Sequence, residues 1–175
     1  MQADLRWLPF EIHPETPPEG APKPFPPEAW PQVRARLERL GREVGLPIDP
    51  PQRNVNSRFA LETAELVRTE KGDDAVGAFY HEVSRAFFTE HADISKHEVI
   101  APIAGRFGIY ASEVEAAWRE RRFSPSLDAF IEEAHKAGVT GVPAIAWPHR
   151  RAILGMMPAP DLVARLRNEN GIGDG

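Results

Sequence analysis

The segment Thr140-Gly141-Val142-Pro143 offers the most to a ligand. A glycine, an apolar residue and a proline here open an apolar run, Ala144-Ile145-Ala146-Trp147. An X–Pro bond takes the cis form for only about 0.5–1 kcal/mol, so tertiary structure can lock it. A cis bond there turns the preceding backbone outward and presents the N–H and C=O of Val142 to an extended chain. An ordinary trans proline at the start of a strand is the plainer reading. Asn54, Asn56 and Ser57 form a second polar group, ahead of a helical pattern, where Asn56 or Ser57 serves as an N-cap.

Other chemistries find little support. The six histidines (His13, His81, His91, His97, His135 and His149) include no His-Glu-x-x-His pair. His91, Asp93 and His97 lie near a helix start and could share a metal, but surface residues around a cap explain them better, so no metal site is expected. There is no Gly-x-Ser-x-Gly elbow and no phosphate-binding glycine loop. Glu62 with Glu65, and Glu132 with Glu133, read as solvated helix faces. Asp73-Asp74 suits a helix N-terminus, and Arg119, Arg121 and Arg122 suit a helix end, with an anion site as the alternative.

The cysteine count is zero in 175 residues. That removes thiolate nucleophiles, disulfides and cysteine metal sites together. Hydrophobic residues make up 42%, enough for a core, and the net charge of −5 argues against a nucleic-acid partner. No apolar run is long enough for a membrane span. The first residues, Met1 to Trp7, carry neither a basic nor an apolar signal region, so the expected location is cytoplasmic.

These groups need elements to hold them. Leu5–Phe10 reads as a short strand ended by Pro9, and Pro14–Pro31 as an irregular proline-rich loop. A helix is expected over Glu28–Val44, with Trp30, Val33, Leu37, Leu40 and Val44 on one face and Gly45 as its stop. Helices follow over Ser57–Glu70 and Asp73–Thr89, then from Ser95 and from Ser112, each opened by a capping box (Ser95 with Glu98, Ser112 with Glu115). Another starts at Ser124-Pro125 and ends at Gly138. The pattern then changes to a strand over Val142–Trp147, a turn at Pro148–Arg150, a strand over Arg151–Leu154, and a last helix from Pro160 or Asp161. The tail Gly171–Gly175 is expected to fray. Few strands, far apart in sequence, and a block of helices between them imply a small α/β core with an inserted helical subdomain.

Lys136-Ala137-Gly138-Val139-Thr140-Gly141-Val142-Pro143-Ala144-Ile145 resembles the stretch before the last hairpin of DsbA-family proteins, most closely the FrnE-like subgroup. Trp7-Leu8-Pro9-Phe10-Glu11-Ile12 and Pro14 to Gly20 are similar to that subgroup's second strand and following loop. Asn56-Ser57-Arg58-Phe59-Ala60-Leu61 resembles the start of its inserted helical domain, and Gly155-Met156-Met157-Pro158 its closing turn. The four matches fall in the family's order.

The resemblance implies a thioredoxin-like α/β fold, with residues 1–52 and 139–175 as the core and 53–138 as the inserted all-helical subdomain. It also implies an N-terminal strand and a Cys-x-x-Cys helix that this sequence lacks, so the core is expected to be truncated at its N-terminus. Three arrangements follow: Leu5–Phe10 moves over to pair with Ala144–Trp147, a second copy completes the sheet as a homodimer, or the gene product begins upstream. The family is one of disulfide oxidoreductases and isomerases, but attack on a disulfide requires a thiolate. This chain is therefore expected to be redox-inactive, with no catalytic residue, and to keep a binding role for an extended peptide or thiol substrate. The implied binding residues are Thr140, Gly141, Val142, Pro143, Trp7, Phe10, Asn56 and Ser57. The alternative is a glutathione-dependent isomerase or transferase of the 2-hydroxychromene-2-carboxylate isomerase or kappa-class type, whose Asn-Ser or Asn-Thr near the thiol site is similar to Asn56-Ser57. A non-catalytic subunit is the third reading. Otherwise no cofactor is expected.

Overall fold

The structure is a computed structural model that describes residues 6–24, 26–147 and 152–169. The helical block forms as the 3.6-residue stripes dictate. Helix α1 spans Trp30–Glu43, α2 Arg58–Lys71, α3 Asp73–Phe88, α4 His97–Gly105, α5 Ala111–Arg119, α6 Ser124–Lys136 and α7 Ala159–Glu169. The strands are short: β1 Ala21–Pro22 pairs antiparallel with β2 Arg53–Asn54, and β3 Ala144–Ile145 pairs antiparallel with β4 Ile153–Leu154. The chain divides into two units, Met1–Ile131 and Glu132–Gly175, with the division inside α6.

The core of the first unit lies among α2, α3, α4 and α5. Ala64, Val67, Val76, Phe79, Ile100, Ala104 and Val114 are fully buried there. Removing a large apolar side chain of this kind from water contributes roughly 1.5–3 kcal/mol. Small residues on α2 let the other helices approach it. Phe59 of α2 stacks on Trp118 of α5 at 4.5 Å between ring centroids, and the Trp118 indole N–H donates to the Thr63 hydroxyl at 2.7 Å.

Several local expectations are corrected. Residues 6–10 are not in a strand; Leu5 lies outside the described residues. The segment is instead a strap tied along α2 by side chains. Arg68 Nη2 donates to the Trp7 carbonyl, Arg58 Nη1 to Glu11 Oε2 at 2.7 Å, and Asn56 Nδ2 to the Thr16 carbonyl at 2.6 Å. The order 68, 58, 56 against 7, 11, 16 makes the strap antiparallel to the helix. From Arg58 to Arg68 the helix rises about 15 Å. A near-extended chain from Glu11 back to Trp7 covers about 14 Å, so both ends meet their partners. Inside the proline-rich loop, β1 is an element the composition does not suggest. It forms where Gly20, at φ +78°, turns the chain against Asn54.

Both expected capping boxes shift. Helix α4 begins at His97, because Asp93 Oδ1 accepts from the backbone N–H and hydroxyl of Ser95 and holds that residue in the preceding turn. Helix α5 begins at Ala111, where Glu113, not Glu115, reaches back to the Tyr110 N–H at 2.7 Å. The strand expected over Val142–Trp147 is paired only at Ala144–Ile145. The turn Pro148–Arg150, the first residue of the expected strand Arg151–Leu154, and the tail Gly171–Gly175 lie outside the described residues.

Candidate functional site

In the second unit, the loop after α6 is built by its C-terminal turn. Gly138 adopts φ +83°, a left-handed value that glycine takes without a Cβ penalty, and its N–H bonds to the His135 carbonyl at 2.9 Å. The Val139 N–H bonds to the Ala134 carbonyl at 2.9 Å and the Val139 side chain is buried. This anchor sends Thr140, Gly141, Val142 and Pro143 outward, and Val142 is 52% exposed. The Val142–Pro143 peptide bond is cis.

Beyond it, Ala144 faces Leu154 and Ile145 faces Ile153, while the Gly155 N–H donates to the Pro143 carbonyl at 2.9 Å. Residues directly opposite in an antiparallel pair share a face. Ile145 and Ile153 take one face, and Ile153 is buried. Ala144 and Leu154 take the other, and Leu154 is 42% exposed. Among the described residues, β3 has β4 beside it and no strand on its other edge. Such an edge carries N–H and C=O groups that can accept an added strand.

In the first unit, the residues implicated by sequence take structural positions. The Trp7 indole rests on α3 at Gly77, 6.4 Å from the Tyr80 ring centroid. Phe10 is half-buried in the strap. Asn56 uses both ends of its amide: Oδ1 accepts from the Arg58 N–H at 3.0 Å and Nδ2 holds Thr16. Asn56 thus caps α2, whereas Ser57 sits at the N-cap position without a side-chain cap bond.

The largest departure from the sequence reading concerns Glu62 and Glu65. They are buried, not solvated, with 1% and 4% exposure. Glu62 Oε1 accepts from Arg58 Nε at 3.1 Å and from the Ser124 hydroxyl at 2.6 Å, with Arg121 Nη2 at 3.3 Å. Arg58 also donates from Nη2 to Asp128 Oδ1 at 2.6 Å and to the Ser124 carbonyl at 3.3 Å. Partial burial works against the Arg58 charge, but Glu11, Asp128 and Glu62 outweigh it and hold the guanidinium pKa above its ordinary value. Glu65 pairs with Arg68, which also meets Asp73. Among the described residues the buried Tyr80 hydroxyl has no hydrogen-bond partner. Burial pushes its pKa up, the Glu65 charge adds to that and Arg68 opposes it. The spacings Arg58-x-x-x-Glu62 and Glu65-x-x-Arg68 were the sequence signal for these pairs.

The remaining candidates separate. His91 Nε2 meets the Asp49 carbonyl at 2.8 Å, and His97 Nε2 the Ala111 carbonyl at 3.1 Å. Among the described residues no three carboxylate or imidazole groups gather as a metal site. Arg119, Arg121 and Arg122 each pair with a glutamate rather than framing an anion site. No described helix is long and apolar enough to cross a membrane.

A DSBA-like thioredoxin domain model matches residues 1–167. The chain belongs to the DSBA-like thioredoxin domain family. This DSBA-like chain is similar in structure to a proposed protein disulfide isomerase from Nitrosomonas europaea. The two align with a TM-score of 0.69 at 18% identity, over 87% of this chain and 78% of that one. It is also similar to a 2-hydroxychromene-2-carboxylate isomerase, with a TM-score of 0.65 at 19% identity, over 81% of this chain and 66% of that one. No curated protein sequence matches it. At these identities the likeness concerns the fold. The family match agrees with a thioredoxin-like α/β fold carrying a helical insertion, and this DSBA-like chain has no cysteine.

Proposed function

We propose that this DSBA-like chain binds an extended polypeptide by strand addition at the free edge of β3, next to Thr140–Pro143, and performs no thiol–disulfide exchange of its own. The supporting observation is the edge itself: β3 lacks a second neighbour among the described residues, and Val142 is half exposed beside it. Strand addition takes its affinity from main-chain hydrogen bonds, so it needs an unpaired ladder rather than a deep pocket. Thiolate attack requires a cysteine, and the chain has none.

The probe is reduced, carboxymethylated lactalbumin, an unfolded polypeptide without free thiols. Saturable binding is expected, together with no acceleration of insulin reduction by dithiothreitol. Binding that survives equally well when a synthetic peptide from the probe is N-methylated throughout would overturn strand addition, because N-methylation removes the ladder donors. The resemblance of Asn56-Ser57 to glutathione-dependent isomerases offers glutathione as a second ligand, but Asn56 already uses both ends of its amide within the fold. Calorimetry with glutathione separates the readings: no heat of binding supports the peptide reading, and saturable heat supports the other.

A further inference from the structure

Arg58 is a meeting point of three segments, the strap, α2 and α6, beside direct pairs such as the Ser124 hydroxyl on Glu62 and the Arg6 guanidinium 5.5 Å from the Phe130 ring centroid. Its Nη1 holds Glu11 of the strap, its Nε holds Glu62 one turn along α2, and its Nη2 holds both Asp128 and the Ser124 carbonyl in the first turns of α6. Its side chain is 16% exposed. Only a planar guanidinium presents donors in three directions at fixed angles; a lysine ammonium is a point charge on a flexible stem. Arg121 adds a second cation, with its guanidinium 3.3 Å from Glu62 and 5.1 Å above the Phe59 ring.

Helix α6 runs unbroken from Ser124 to Lys136. Its last turn is bonded to the loop that follows, through the Val139 N–H on the Ala134 carbonyl. The Ala152 N–H, just before β4, bonds to the Ala137 carbonyl at 3.0 Å.

We propose that Arg58 is a positioning residue that couples the strap carrying Trp7 and Phe10 to the first turns of α6.

The test uses the full chain labelled with 5-fluorotryptophan. Four ¹⁹F lines are expected from the four tryptophans, with the Trp7 line assigned by Trp7→Phe. Asp128→Asn neutralises the α6 carboxylate that Arg58 Nη2 holds. In the otherwise native chain it is expected to shift the Trp7 line. In an Arg58→Lys background, which keeps the charge but loses the fork, the same substitution is expected to leave the line in place. A Trp7 line unmoved by Asp128→Asn, or moved equally in both backgrounds, overturns the coupling. If Arg58→Lys unfolds the chain, Glu11→Gln replaces it as the background, since it cuts only the strap side.

Discussion

Gly77 lies directly under the Trp7 indole: a Cβ at Gly77 would stand 2.8 Å from Trp7 Nε1. No real methyl group sits that close to a ring, so glycine is what lets the strap lie flat on α3. Gly77→Ala is expected to lift the indole and blue- or red-shift its emission. The change in stability should stay within about 1 kcal/mol, because alanine gains about that much over glycine inside a helix and offsets the lost contact. Fluorescence and urea unfolding read the two effects separately. An unchanged Trp7 signal would show that the indole does not rest on Gly77.

The buried carboxylate of Glu62 makes a second prediction. Breaking a buried pair by removing one partner costs roughly 3–5 kcal/mol, because the charge left behind has lost its compensation. For Glu62→Ala the lower end, about 3 kcal/mol, is expected, since Arg58 keeps Glu11 and Asp128. Ser124→Ala, which removes a single charge-assisted hydrogen bond at 2.6 Å, should cost about 1.5–3 kcal/mol. Denaturant midpoints for both variants check the ranking.

Arg121 sits at φ +51°, in the left-handed region where a Cβ costs roughly 1–2 kcal/mol. Its side chain offsets that cost through Glu62 and the face of Phe59. Arg121→Ala loses the side-chain contacts and keeps the backbone penalty, whereas Arg121→Gly loses the contacts and relieves the backbone. The glycine variant is therefore expected to be the more stable of the two by about 1 kcal/mol. Equal melting temperatures would argue against a strained backbone at this turn.

The helices were legible in the sequence because each carries its own apolar stripe. Val76, Phe79 and Val83 of α3, and Ile100, Ile103 and Ala104 of α4, are buried as their spacing requires. Their starts were less legible. Ser95 and Ser112 match the capping pattern, but Asp93 claims Ser95, and Glu113 closes on Tyr110, two residues before the expected box. A cap depends on which neighbour wins the hydrogen bond, and composition does not decide that. The strap was misread as a strand because Trp7, Leu8 and Phe10 have the composition of one; its partners are side chains from α2, distant in sequence. Glu62 and Glu65 look like a solvated face until Arg58, Arg68 and Arg121 are placed around them. For the candidate site, the exposed Val142 next to an apolar strand followed from the local order of glycine, valine and proline. The extent of the ladder did not, since it is set by β4.

Tyr80 provides a pH-dependent prediction. Its folded pKa lies above the ordinary phenol value of about 10, because burial disfavours the phenolate. A group whose pKa is raised on folding contributes stability that is fully present below its unfolded pKa and is lost as pH rises. The chain should therefore lose stability above about pH 10, where the unfolded tyrosine ionises and the folded one does not. Tyr80→Phe removes that loss. It should also raise stability at neutral pH by about 1 kcal/mol, because among the described residues the buried hydroxyl has no partner to forfeit. Thermal melts from pH 7 to pH 11 for both chains test the sign. Parallel curves would show that Tyr80 does not titrate differently in the folded state.

Peptide binding depends on the edge of β3 that has no strand beside it among the described residues, and amide hydrogen exchange with and without saturating carboxymethylated lactalbumin tests it most directly. The predicted result is slowed exchange confined to the β3 segment, Val142 to Ile145, with the amides of α2 and α3 unchanged. Binding with no protection at β3, or with protection centred on the helical block, contradicts it.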